Sequence, residues 1–181
     1  RTNTAWPRPI SASFAPTTLN DADTLSVAFT VRVTESPIDV TDGGTFPGAS
    51  DDRNFRFGLY NSNGTAVVAD TGDTAITGND TGYLAQIDIG AGAGTTYAAF
   101  GDQADGILGG SAVSLGASGV DPTHFIDNTP HTLQMVLIRS GQDMLVNIYF
   151  DGVLAQQGVA DFATDIDPFG LPYTFDYFAF C

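Results

Sequence analysis

HTLQMVLIRSGQDMLVNIYFDGVLAQQG, residues 131–158, carries the clearest fold signal in the chain. It holds three runs of alternating apolar and polar residues, at 131–139, 144–150 and 153–157. Two turn signals, Ser140-Gly141-Gln142 and Asp151-Gly152, separate them. A period of two places successive side chains on opposite faces of a strand, so each run reads as a strand with one apolar side. In the second run Val146, Ile148 and Phe150 share one face, and Asn147 and Tyr149 share the other. Asp-Gly between two such runs signals a type I′ hairpin, because both central positions take positive φ. The stretch is therefore a three-stranded antiparallel meander. Asp151-Gly152 reads as its second turn rather than as a calcium or sugar contact.

The same period recurs on either side. TLSVAFTVRV (24–33) sets Leu25, Val27, Phe29, Val31 and Val33 against Ser26, Thr30 and Arg32. NFRFGLYN (54–61) turns Phe55, Phe57 and Leu59 one way, and Arg56 and Tyr60 the other. GYLAQIDIG (82–90) separates Tyr83, Ala85, Ile87 and Ile89 from Leu84, Gln86 and Asp88. Further strands are expected at ISASF (10–14, an edge), TAVVA (65–69), TTYAAFG (95–101) and TFDYFAF (174–180). No stretch has the period of an amphipathic helix. About a dozen short strands with glycine-rich turns imply two packed sheets. Strands near both ends suggest that the ends lie close together.

With 181 residues, the chain is long enough for one domain with a substantial core and short for two. The expectation is a single domain over 1–181, with RTNTAWPRP (1–9) as an extended N-terminal arm. Hydrophobic residues make up 43% of the chain, too many for a disordered tail. No apolar run reaches the roughly 20 residues of a membrane helix. Of 21 acidic residues all but Glu35 are aspartate, and the six basic residues are all arginine. A net charge of −15 leaves little from which to build a basic patch, which argues against nucleic-acid binding. Such a surface suits a soluble extracellular or cell-surface protein. A start at Arg1 without a signal peptide is what a processed secreted protein or an excised domain would show. Cys181 has no second cysteine with which to form an intrachain disulfide.

The meander at 131–158 resembles that of the concanavalin A-like lectin/glucanase superfamily, especially its laminin-G-like members. In these, a strand opens with His, a Gly turn follows, and an apolar strand ends in Tyr-x-Asp-Gly. TFDYFAF is similar to their closing strand, and FRFGLYNSNGT looks like an early strand of bacterial secreted members. The resemblance implies an all-β jelly-roll sandwich of two antiparallel sheets. It implies glycan binding, protein binding, polysaccharide cleavage or assembly, so it does not choose a function.

Chemistry narrows the choice. The superfamily's glucanases carry Glu-x-Asp-x-x-Glu on one strand, and a chain with one Glu lacks that motif; Asp pairs serve other hydrolases, but none here has catalytic spacing on a strand. Gln86-Ile87-Asp88 partly resembles the Gln-Ile-His strand of jelly-roll alginate lyases, but Asp replaces the imidazole and the order of elements differs. A polysaccharide lyase is thus the least favoured reading. The lone Cys excludes a thiolate zinc site. His131 opens a strand, where the resemblance implies a structural His, and His124 lies in a loop. Calcium fits better, since hard cations take carboxylate and carbonyl oxygens. Its candidates are Asp51, Asp52, Asp70 and Asp73; no loop, including Asp39/Asp42 and Asp165/Asp167, matches an EF-hand.

If the apolar strand faces point inward, the opposite faces carry Arg56, Tyr60, Gln86, Asp88, Gln134, Asn147 and Tyr149. Amides and carboxylates take sugar hydroxyls, and aromatic rings take the apolar face of a sugar. Outward strand faces are polar in any case. The leading expectation is a non-catalytic carbohydrate-binding domain whose partner is a polysaccharide or glycan. The rival is a self-assembling subunit of a filament, sheath or surface layer, joined through its N-terminal arm.

Overall fold

The computed structural model describes residues 10–32, 54–64, 80–88, 95–102, 113–117, 119–121, 128–161 and 172–180. These form eleven strands in two antiparallel sheets, an all-β sandwich, with no helix among the described residues. The strands are β1 (Ile10–Thr18), β2 (Thr24–Arg32), β3 (Asn54–Asn61), β4 (Thr81–Asp88), β5 (Thr95–Asp102) and β6 (Val113–Ser114). They continue as β7 (Gly119–Asp121), β8 (Pro130–Ser140), β9 (Asp143–Phe150), β10 (Val153–Ala160) and β11 (Thr174–Phe180). The large sheet runs β1-β11-β3-β4-β5-β6, with β7 also on β5; the small sheet runs β10-β9-β8-β2. Among the described strands the chain changes sheet four times, between β1 and β2, β2 and β3, β7 and β8, and β10 and β11. Ile10 pairs with Phe180, which brings the first and last strands side by side. TAVVA (65–69), the arm at 1–9, His124 and Cys181 lie outside the described residues.

Alternation builds the core. Leu133, Met135 and Leu137 of β8 and Met144, Val146 and Ile148 of β9 are fully buried. Facing them are Phe57 and Leu59 of β3 and Tyr83, Ala85 and Ile87 of β4. Phe29 of β2 spans the layers. Its ring lies 5.0 Å from Phe57, nearly edge-on, and 5.6–6.1 Å from Phe55, Phe178 and Phe180. Each such side chain contributes about 1.5–3 kcal/mol by leaving water.

The meander has the expected turns. Asp151 and Gly152 have φ of 49° and 79°, the left-handed values a type I′ hairpin needs. β10 is longer than expected, and a bulge between Leu154 and Gln156 turns Gln156 inward, where its Nε2 donates to Ala117 O at 2.8 Å. Beyond the bulge, β10 runs beside β5, where Gly158 leaves room for Leu115 and Ala99.

The opposite end is tied by Arg139. Its guanidinium donates to Leu19 O at 2.7 Å and Gly141 O at 3.0 Å, and lies 3.9 Å from the centre of the Tyr173 ring. This one side chain links the β1–β2 turn, the β8–β9 turn and the approach to β11. In the same turn, Asp23 accepts from the backbone and side-chain amides of Asn20 at 2.7 and 2.9 Å. The Asn20 backbone amide, then its side chain, then nearby Arg139 hold the Asp23 carboxyl below the usual range. A lowered folded value stabilises the turn above the ordinary aspartate range, and that support is lost as pH falls through the lowered value.

Candidate glycan-binding faces

The candidates divide between the two sheets. Arg56 and Tyr60 lie on β3 and Gln86 and Asp88 on β4, in the large sheet; Gln134 lies on β8 and Asn147 and Tyr149 on β9, in the small sheet. The core separates the groups, so no single groove uses all seven.

On the large sheet Arg56 pairs with Gln86, Tyr60 with Gly82, and Asn54 with Asp88. Arg56 and Gln86 are partly exposed. Tyr60 is fully buried and stacks on Tyr177 at 5.3 Å with the planes 19° apart. The Tyr177 hydroxyl in turn donates to Asp80 Oδ2 at 2.5 Å, and Asp80 is itself buried. Gly58 and Gly82 leave the space that the Tyr60 ring fills, for a Cβ on either would come within 2.7 Å of it. An aromatic ring laid over cross-strand glycines replaces the packing that they lack. Tyr60 is thus a packing residue of a second aromatic layer, with no surface to offer a sugar.

On the small sheet Tyr149 stands between Gln134 on β8 and Leu154 on β10, and both Tyr149 and Gln134 are partly exposed. One pair further along the sheet, Asn147 is opposite Val136 and Gln157. The side-chain Nε2 of exposed Gln157 donates to Asn147 Oδ1 at 2.9 Å. Asn147 itself is only 5% exposed. It therefore orients Gln157, whose carbonyl oxygen stays available. Gln157 was not singled out by alternation in the sequence because the bulge at Leu154/Gln156 shifts its face.

The Asp151-Gly152 turn does more than reverse the chain. Asp151 Oδ2 lies 2.8 Å from His131 Nδ1, and Asp151 Oδ1 accepts from Thr132 N at 2.8 Å. Thr129 Oγ1 lies 3.1 Å from His131 Nε2. Hydroxyl, imidazole and carboxylate stand in the order of a hydrolase triad. Here the imidazole is almost buried and stacks on Phe150 at 4.6 Å, and the carboxylate is shared with the β8 backbone. The group clamps the hairpin to the start of β8. Asp151→Ala is expected to cost about 1–3 kcal/mol through the lost bonds to His131 and Thr132, with Asp151→Asn between it and the parent. Urea denaturation measures this; equal midpoints for all three would remove the clamp.

No group of three or more His, Cys, Asp or Glu able to hold a metal occurs among the described residues. The calcium candidates Asp51, Asp52, Asp70 and Asp73, like Asp39/Asp42 and Asp165/Asp167, lie outside them. No helix among the described residues is long and apolar enough to cross a membrane. The fold is an all-β sandwich of two antiparallel sheets. A scan against protein-family models finds no match, and comparison with curated proteins finds no significant relative.

Proposed function

We propose that this chain is a non-catalytic carbohydrate-binding domain of the cell surface or extracellular space, and that it contacts a glycan with the outer face of its small sheet. The observation that carries this reading is the placement of Tyr149 beside Gln134, next to the Asn147–Gln157 amide pair. An accessible aromatic ring takes the apolar face of a pyranose, and amides flanking it donate to and accept from hydroxyls. Arg56 and Gln86 on the large sheet form a second, smaller polar patch. Calcium belongs to the same proposal, as a support of the acidic loops rather than of either sheet face.

A glycan array run with calcium and with a chelator tests the reading. The parent chain is expected to retain a defined class of glycan. Tyr149→Ala is expected to weaken retention roughly tenfold or more at unchanged thermal stability, as removal of a contact centre does. Equal binding by parent and variant would move the site off the small sheet, and an Arg56→Ala/Gln86→Ala pair would then locate it. Absence of binding to any glycan, in calcium or without it, would end the lectin reading.

The assembly reading keeps one observation in its favour. β1 is an outer strand of the large sheet, and residues 1–9 lead into it. Negative-stain microscopy of the chain at high concentration, with and without calcium, would reveal filaments if the arm joins neighbouring copies.

A further inference from the structure

The small sheet ends in a strand built to be continued. β2 pairs with β8 over nine consecutive residues, Thr24 to Arg32, in unbroken register, and among the described residues it is the last strand on that side. Natural sheets blunt such edges with proline, lysine, bulges or a covering segment. β1 contains Pro16 and an irregular register between Ser13 and Thr17. β10 has its own bulge and packs beside β5. Within β2 itself, Thr24–Arg32, there is no proline, lysine or bulge.

Its burial is also unfinished. Leu25, Val27, Phe29 and Val31 point to the core yet stay partly exposed, whereas Leu137, Met135 and Leu133, opposite the first three, are 0% exposed. On the outer face Thr24, Ser26, Ala28 and Thr30 are exposed, small and uncharged.

We propose that β2 is the contact with a second copy of this chain, the two β2 strands pairing antiparallel about a two-fold axis at Ala28 and joining the small sheets into one. This stands independently of the glycan reading. Pairing must keep core faces together, because a slip of one residue would set apolar against polar side chains. Centring on Ala28 uses the whole strand. It sets Leu25 beside the partner's Val31, Val27 beside the partner's Phe29, and Ser26 beside the partner's Thr30. Charge selects a copy over an unrelated strand. Arg32, the only charge in β2, meets the partner's Thr24, next to the partner's Asp23 and the partner's Asp21, and the symmetry repeats this at the other end. An isologous contact of this kind closes as a dimer rather than growing into a fibre. A net charge of −15 per chain opposes the approach of two copies, so salt is expected to strengthen the dimer by screening it.

Sedimentation velocity of the full chain across a concentration series, at low and moderate salt, is the test, with Ala28→Glu and Ala28→Lys as variants. Ala28 is exposed in the monomer, and thermal melts check that both variants fold. The parent is expected to dimerise. Each variant alone places like charges directly opposite each other and is expected to weaken the dimer roughly tenfold or more. An equimolar mixture of the two is expected to regain it as a heterodimer. A parent that stays monomeric at every concentration overturns the proposal. So does a dimer that both variants leave intact, which would point to another surface such as the N-terminal arm, or a loss that mixing fails to reverse.

Discussion

Phe57→Ala is expected to lower the unfolding free energy by about 3–5 kcal/mol, the range for truncating a buried aromatic. Phe57 has no exposed surface and stands where β3 faces the small sheet. Its ring meets Phe29 edge-on at 5.0 Å, and Phe55 and Phe178 lie at 6.0 and 6.5 Å. Truncation removes the transfer energy of the ring and leaves a cavity. The strands cannot close that cavity without breaking the β3–β4 and β3–β11 ladders. For a small domain with about 5–15 kcal/mol in total, this is a large share. A urea titration should show a lower midpoint at an unchanged slope, since the surface exposed on unfolding is nearly the same. A loss below about 1 kcal/mol would mean that the sheets do not meet along this row.

Gly82→Ala is expected to destabilise by about 1–3 kcal/mol or more, by overpacking instead of by loss. A Cβ on Gly82 would sit 2.4 Å from Leu59 O and 2.5 Å from Tyr60 Cδ1. The carbonyl belongs to the neighbouring strand of the ladder and cannot retreat. The ring is stacked on Tyr177 and has little freedom to turn. The near-UV circular dichroism of the tyrosines should change with the loss of stability. Coupling is the sharper readout. Tyr60→Ala should cost less in the Gly82→Ala background than alone, because removing the ring relieves part of the clash. Strict additivity of the two changes would separate the glycine from the tyrosine.

These two expectations come from different levels of the chain. Phe57 was legible as a core residue because Phe55, Phe57 and Leu59 alternate with polar neighbours. Tyr60 alternates just as cleanly onto the outer face, and by that rule it is a surface residue. The structure buries it against Tyr177, a residue more than a hundred positions away that joins the same sheet only through the β3–β11 pairing. Glycines at 58 and 82 are the one local signal that an aromatic ring lies flat across these strands. The clamp at Asp151 shows the same division. The turn followed from the Asp-Gly dipeptide, while the carboxylate's grip on His131, twenty residues back, needed the β8–β9 pairing.

Side-chain period and local φ preferences suffice for the strands of the meander, the inward rows of β2, β3, β4 and β9, and the type I′ turn. A single Glu also rules out the Glu-x-Asp-x-x-Glu motif by composition alone. Which sheet each strand joins depends on pairing between distant segments. Alternation assigns a side chain to a face of its own strand and is silent about which sheet that strand enters. Seven residues that share one outward pattern in the sequence therefore divide into four on the large sheet and three on the small one.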